Sequence, residues 1–384
     1  MTWLRRKGYT RLSRIPAEAL NVDAMCLFRR SREMWSLDAL IYMTHVKFHA
    51  TDQRDKVYGI LGLVKQPARE AALSTAVNPD YSHADAVETY REAARFLIET
   101  NCSMAVLTRS GLRPRQSSHF QGAPSWVPDW TDTVNREIPT FLSWVHYSNR
   151  SQSARLGYPH HYNAACGRPA RMHRSEDAMV LRVDGMRVDT VSRVVRLCEG
   201  ISTRQQFDSS FERSIARVCT AALTLLDLNH VSDWVEEFVR ATTAEQHGLG
   251  GIAWEEIVQD GLAYLHALLS SPDTQGLYWM HLQLMQGLQQ MSNGGGLADR
   301  YKAFAANYCF RRSFILTSTG RMGIGPETTD SGDVVSVILG GGVPYILRGS
   351  KDGKTFAVVG ESYINGYMDG TAVLDVATQI LDLL

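Results

Sequence analysis

Few of the residues able to do chemistry stand at spacings that chemistry needs. Gly340-Gly341-Gly342 invites a phosphate-cradling loop, but no Gly-Lys-Ser/Thr follows and both flanks read as strands, so a hairpin turn is expected. Gly360-Glu361-Ser362-Tyr363-Ile364 begins like a nucleophile elbow, yet Ile364 stands where a glycine must make the sharp turn. Glu361 and Asp369 are a carboxylate pair flanking a turn. A glycosidase would need a sugar cleft beside them, and their expected role is to receive backbone N–H groups, with a ligand contact as the alternative. His160, His161, Cys166 and His173 are metal-ligand types, but their spacing matches no zinc pattern, and adjacent histidines on an extended chain point to opposite sides. Gly325-Pro326-Glu327 lacks the rest of a dinucleotide fingerprint. Asp129, between Trp126 and Trp130, could complete an aromatic cage for a cation, but Pro124 and Pro128 favour a rigid strap with both rings buried. No catalytic, cofactor-binding or metal-binding residue is assigned.

These residues depend on elements that the periodicity outlines. Val57, Ile60, Leu61 and Val64 recur at helical spacing after Thr51 and Asp52, either of which can cap a helix, and Gly62 is placed to end it. Ser82 with Asp85 forms a capping-box pattern before a helix carrying Val87, Tyr90, Ala94, Leu97 and Ile98, with Asn101 as a left-handed stop. Arg109 to Gln121 reads as an exposed loop, and Ser148 to Ser175 as the loop at a domain boundary. Met179 to Val195 reads as a β-hairpin turning at Asp184-Gly185. Helical patterns follow at Phe211–Leu228, Val231–Ala241, Ile252–Leu269 and Leu277–Leu288, closed by Asn293-Gly294-Gly295-Gly296. Strands resume at Arg312–Ser318, Val334–Leu339, Val343–Leu347 and Thr355–Gly360, with a short piece at Tyr363–Tyr367. Thr371 to Leu384 reads as a terminal helix. The expected class is α+β: a mainly helical region over residues 1–165 with the Trp-rich strap, then over 166–384 a small antiparallel β-barrel interrupted by a helical insertion at about 203–310.

Several segments also match a family in wording and order. Asp52-Gln53-Arg54-Asp55-Lys56-Val57-Tyr58 opens the series, followed by Asn78-Pro79-Asp80-Tyr81 and Pro124-Ser125-Trp126-Val127-Pro128-Asp129-Trp130. Gly332-Asp333-Val334-Val335, Val343-Pro344-Tyr345-Ile346-Leu347-Arg348 and the stretch Gly360 to Gly370, with Glu361, Gly366 and Asp369 inside it, complete it. Together they resemble the region downstream of the HET domain in fungal heterokaryon-incompatibility proteins. The resemblance implies that the effector function, linked to NAD breakdown and cell death, sits in the upstream HET domain. The motifs of that domain are missing here or scarcely traceable, the nearest being Leu20-Asn21-Val22-Asp23-Ala24-Met25-Cys26-Leu27. The chain therefore looks like the C-terminal companion of a HET protein without its effector.

Forty basic and forty acidic residues make the chain formally neutral, so its charge favours neither nucleic acid nor an acidic membrane. A hydrophobic share of 44% suffices for real cores in 384 residues. The six cysteines form no C-x-x-C pair and read as reduced thiols of a cytoplasmic protein. The basic start, Met1 to Arg14, is followed by no apolar run of the kind a signal peptide needs, and the longest apolar run, Val334 to Leu347, is broken by glycines and Pro344. The expectation is a non-catalytic scaffold or regulatory portion that works through protein partners in non-self recognition. The alternative is an enzyme with a cryptic site between the two domains, His160, His161, Glu361 and Asp369 being its first suspects.

Overall fold

A computed structural model describes Cys26 and residues 36–44, 48–64, 77–82, 85–112, 122–131, 139–140, 142, 162–227, 229–247, 251–271, 282–292, 295–351 and 353–384. By internal packing the chain forms two units, residues 1–100 with 129–135, and 101–128 with 136–384, whereas the sequence reading divides it at 165.

In the first unit, helices α1 (Leu37–Thr44), α2 (Asp55–Leu61) and α3 (Ala86–Asn101) each bury one apolar face. Val57, Ile60 and Val64 on and after α2 are buried, as are Tyr90, Ala94, Leu97 and Ile98 on α3. The helix ends differ from expectation. Neither Thr51 nor Asp52 caps α2, because the chain already turns there, with the Asp55 N–H bonded to the Asp52 carbonyl at 3.0 Å. The Asp52 carboxylate instead closes that turn through the Arg54 N–H at 3.0 Å. Gly62 stays right-handed at φ −66°, since Leu63 and Val64 continue the turn onto Ile60 and Leu61. Asp85, not Ser82, caps α3 by accepting the Glu88 N–H at 2.8 Å, and the left-handed residue after that helix is Cys102 at φ 49°, one position past Asn101.

The second unit holds the barrel. Its strands are β1 (Met172–His173), β2 (Leu181–Arg196), β3 (Arg312–Thr317), β4 (Met322–Pro326), β5 (Val334–Ile338), β6 (Tyr345–Gly349), β7 (Thr355–Glu361), β8 (Tyr363–Ile364) and β9 (Gln379–Leu383). A closed ring runs β2–β5–β6–β7–β9 and back to β2, antiparallel except for the β7–β9 pair. The far half of β2 leaves the ring and pairs with β3, which continues to β4 and β8. Bulges near Val188 and Ser192 let one strand serve both layers. Val191, Ile315, Val335, Ile346, Val359, Ile364 and Tyr367 form the core that joins them.

Two readings of the sequence are corrected here. Asp184-Gly185 is no hairpin turn, since β2 is a single strand of 16 residues. Gly185 pairs with both Ile338 and Gln379, and a Cβ on it would lie 2.6 Å from Leu381 Cδ1, so glycine there serves close approach. The C-terminus is not a helix: only Thr371–Val373 forms a 3₁₀ turn, and β9 follows. Leu381 and Leu383 are buried while Ile380 is 49% exposed, the period-two pattern of the strand that closes the ring.

Between β2 and β3 stand helices α4 (Arg204–Ala222), α5 (Val231–Thr243), α6 (Trp254–Ser270), α7 (Leu282–Met291) and α8 (Ala298–Cys309), the expected insertion. Thr203 and Gln206 close a capping box at the start of α4. Phe207, Phe211, Phe238, Leu265 and Tyr301 are fully buried among these helices. Asp260 on α6, also fully buried, accepts the Leu297 N–H at 2.6 Å and the Arg300 Nε at 2.5 Å, tying α6 to the start of α8. The architecture is α+β. Among the described residues no helix is long and apolar enough to cross a membrane.

Candidate functional site

In the first unit, two motif blocks form one cluster around α2. Arg54 pairs with Asp52 at 2.7 Å and lies 5.0 Å above the Tyr81 ring, and its Nη1 reaches the Asp80 carbonyl at 3.5 Å. The Tyr81 hydroxyl donates to Asp55, which pushes its pKa up to about 12, and Tyr58 packs edge-on against the same ring at 5.3 Å. The hydrogen bond from Arg54 holds the Asp52 carboxyl below its ordinary range. Lys56 is buried and donates to the Phe48 carbonyl, and Asp80 accepts the Ser82 N–H at 2.8 Å. Pro79 is exposed beside it.

The Trp-rich strap buries both rings, which leaves no open aromatic cage at either. Trp126 is fully buried in the second unit, its Nε1 donating to the Met179 carbonyl at 2.8 Å and its own carbonyl accepting from Ser110 Oγ at 2.8 Å. Pro128 is buried beside it. Trp130 packs in the first unit against Tyr90 at 5.2 Å, and Asp129 accepts both the N–H and the hydroxyl of Thr131. Arg109 and Ser110, expected in an exposed loop, are buried on the 3₁₀ helix Ala105–Leu112.

The barrel blocks interlock as well. Asp333, nearly fully buried, takes both Nε and Nη2 of Arg348 at 2.8 Å, so the Gly332-Asp333 block and the end of the Val343–Arg348 block hold one another across the β5–β6 hairpin. Gly332 before it is left-handed at φ 92°. Asp333→Ala removes a bidentate acceptor and leaves the Arg348 guanidinium with Asp330 at 2.9 Å and the Thr328 carbonyl at 2.8 Å, for an expected loss of about 1–2 kcal/mol. Asp333→Asn should lose less, and equal urea midpoints for Asp333→Ala and the parent would refute the assignment.

The stretch from Gly360 to Gly370 is a junction of this unit, with Glu361, Tyr363, Asn365 and Tyr367 each bonding a different part of it. Gly360 sits at φ 146°. Glu361 is buried, 2.6 Å from Arg312 Nη2, and accepts the Leu142 N–H at 2.8 Å, the backbone contact expected of it. Burial pushes its carboxyl up, while Arg312 and the Leu142 N–H pull against that rise. The Tyr363 hydroxyl donates to Glu245 at 3.3 Å, and burial raises its pKa far above normal. Asn365 Nδ2 donates to the Glu237 carbonyl on α5 at 2.8 Å. Gly366, at φ 75°, leaves room for Arg321, whose Nη1 would lie 1.9 Å from a Cβ there. The Tyr367 hydroxyl donates to Asp189 at 2.9 Å. Burial opposes ionisation of Asp369, but the N–H and hydroxyl of Thr371 outweigh it and hold the carboxyl below its usual range. Gly370, at φ 89°, admits the backbone of Asn163 and Cys166 within 3 Å of where a Cβ would stand.

His160 and His161 lie outside the described residues. Cys166 is exposed, and His173 on β1 pairs with Asp184 at 2.6 Å. Among the described residues no three metal-ligating side chains come together. Reading the sequence missed Arg312 and Asp260.

Residues 281–379 match the Het-6 β-barrel domain family. Heterokaryon incompatibility protein 6, OR allele, of Neurospora crassa is 24% identical over 362 residues, covering 83% of this chain and 49% of that protein. The chain is a relative of the fungal heterokaryon-incompatibility proteins. It spans about half the length of the heterokaryon-incompatibility protein it matches. No solved structure matches it. The Het-6 barrel segment begins just before α7 and ends on the first residue of β9, so the ring closes only with β2, about eighty residues upstream, and the rest of β9.

Proposed function

We propose that this chain is a non-catalytic recognition or regulatory portion of a heterokaryon-incompatibility protein. It acts in the cytoplasm through protein partners in non-self recognition, and the insertion helices are its partner-facing part. The similarity to the Neurospora protein supports the incompatibility role. The observation that carries the non-catalytic reading is the state of the motif charges. Asp52, Arg54, Asp55, Lys56, Asp80, Asp129, Asp333, Arg348, Glu361 and Asp369 each bond within the chain. In this arrangement each charge holds a turn, a helix end or a strand junction of its own fold, which supports a structural role for the motif blocks. Purified full-length chain incubated with NAD should release nicotinamide no faster than buffer alone. Release above that background, lost on heat denaturation, would sink the reading.

A further inference from the structure

The insertion contains a cleft that none of the motif blocks reaches. Helices α4, α6 and α8 surround about 750 Å³, a size ordinary for small-molecule sites, with Ala216, Ala267 and Leu268 as its apolar wall. Tyr264 of α6 lines it. That side chain is 5% exposed, packed against the Tyr301 ring at 5.0 Å, and its hydroxyl has no hydrogen-bond partner among the described residues. Glu212, another wall residue, and the buried thiols of Cys309 and Cys219 act electrostatically on the phenol. Burial, with Glu212 adding to it, holds the phenol's pKa above its ordinary value, so the hydroxyl stays protonated and is a donor. An unmet buried donor costs the free chain stability, and a ligand bringing an acceptor recovers that cost.

The charges of the cleft indicate which acceptor. Arg217 is paired with Glu199 at 3.1 Å and Lys302 with Glu212 at 2.7 Å. Arg213 has no ion-pair partner among the described residues. The remaining carboxylate, Asp299, stands in the first turn of α8, where the helix terminus offsets its charge. One free cation, one unmet donor and an apolar wall suit an anionic head on an apolar body.

We propose that this cleft binds a medium-length acyl carboxylate, its head received by the Tyr264 hydroxyl and the Arg213 guanidinium and its chain lying on Ala216, Ala267 and Leu268. Isothermal titration of the full chain with octanoate, and with octylamine as the charge-reversed match, tests this. Octanoate should bind saturably at one site and octylamine should not. Tyr264→Phe should weaken octanoate about tenfold or more, as expected for a hydrogen bond to a charged acceptor, and Arg213→Gln should weaken it similarly. Tyr264→Phe should also unfold no more easily than the parent, because the deleted hydroxyl has no partner among the described residues; a hydroxyl with a purely structural role would give the opposite result. Arg213→Gln lies on the exposed face of α4 and does not threaten the fold. Absence of saturable octanoate binding, equal binding of octylamine, or unchanged octanoate affinity in Tyr264→Phe would overturn the proposal.

Discussion

Glu361→Ala should unfold the second unit at much lower urea than the parent, at a cost of about 3–5 kcal/mol, as for a buried ion pair that loses one partner. The two side chains are 3% and 4% exposed and 2.6 Å apart. Alanine leaves the Arg312 guanidinium buried with only the carbonyls of Thr140 and residue 361 to face, and strands the Leu142 N–H. Most of the loss should return in the double variant Arg312→Met with Glu361→Leu, which fills the site without burying charge. The pH dependence has a definite sign. Because burial raises the Glu361 pKa in the fold, the folded chain holds a proton that the unfolded chain has lost, but only between the ordinary carboxylate pKa and that raised value. Stability from this group is therefore full below the ordinary carboxylate pKa and declines as pH rises through the folded value. Glu361→Gln should flatten that decline. Urea unfolding followed by circular dichroism measures all three variants against the parent, and a cost under about 1 kcal/mol for Glu361→Ala would show that the pair does not hold the junction.

Trp126→Ala should cost a similar amount, about 3–5 kcal/mol, for a different reason. The indole is fully buried, so truncation opens a cavity as well as losing apolar burial. It also orphans the Met179 carbonyl at the entry to β2. Trp126→Phe keeps most of the volume and loses mainly the hydrogen bond, at about 1–2 kcal/mol. The contrast between the two variants separates filling from bonding. Equal costs would place the strap's value in the indole N–H and not in its bulk.

The motif blocks were readable as words long before their grammar was. Asp333 and Arg348 stand 15 residues apart and face each other only because β5 and β6 pair as they do. Glu361 and Arg312 stand 49 apart and meet because β7 ends and β3 begins at the same junction. A sequence displays the charges but not their mates, so Glu361 read as half of a turn-flanking pair with Asp369 when it is an interior carboxylate held by Arg312. Asp184-Gly185 misled for a related reason. The dipeptide is a strong local turn signal, and the need for glycine came from Leu381, almost two hundred residues away.

What the sequence determined by itself was whatever depends on near neighbours. The helices of the insertion followed from apolar residues every three or four positions, the tight turns from glycines, and the family from short ordered blocks. Tertiary structure alone decided which strand closes the ring, which charges are buried together, and that Tyr264 is left with an unmet donor. Thr371 to Leu384 holds apolar residues that a helix or a strand could use. The open edges of β2 and β7 chose the strand, because a buried edge must pair its backbone and local propensity is too weak to resist that demand.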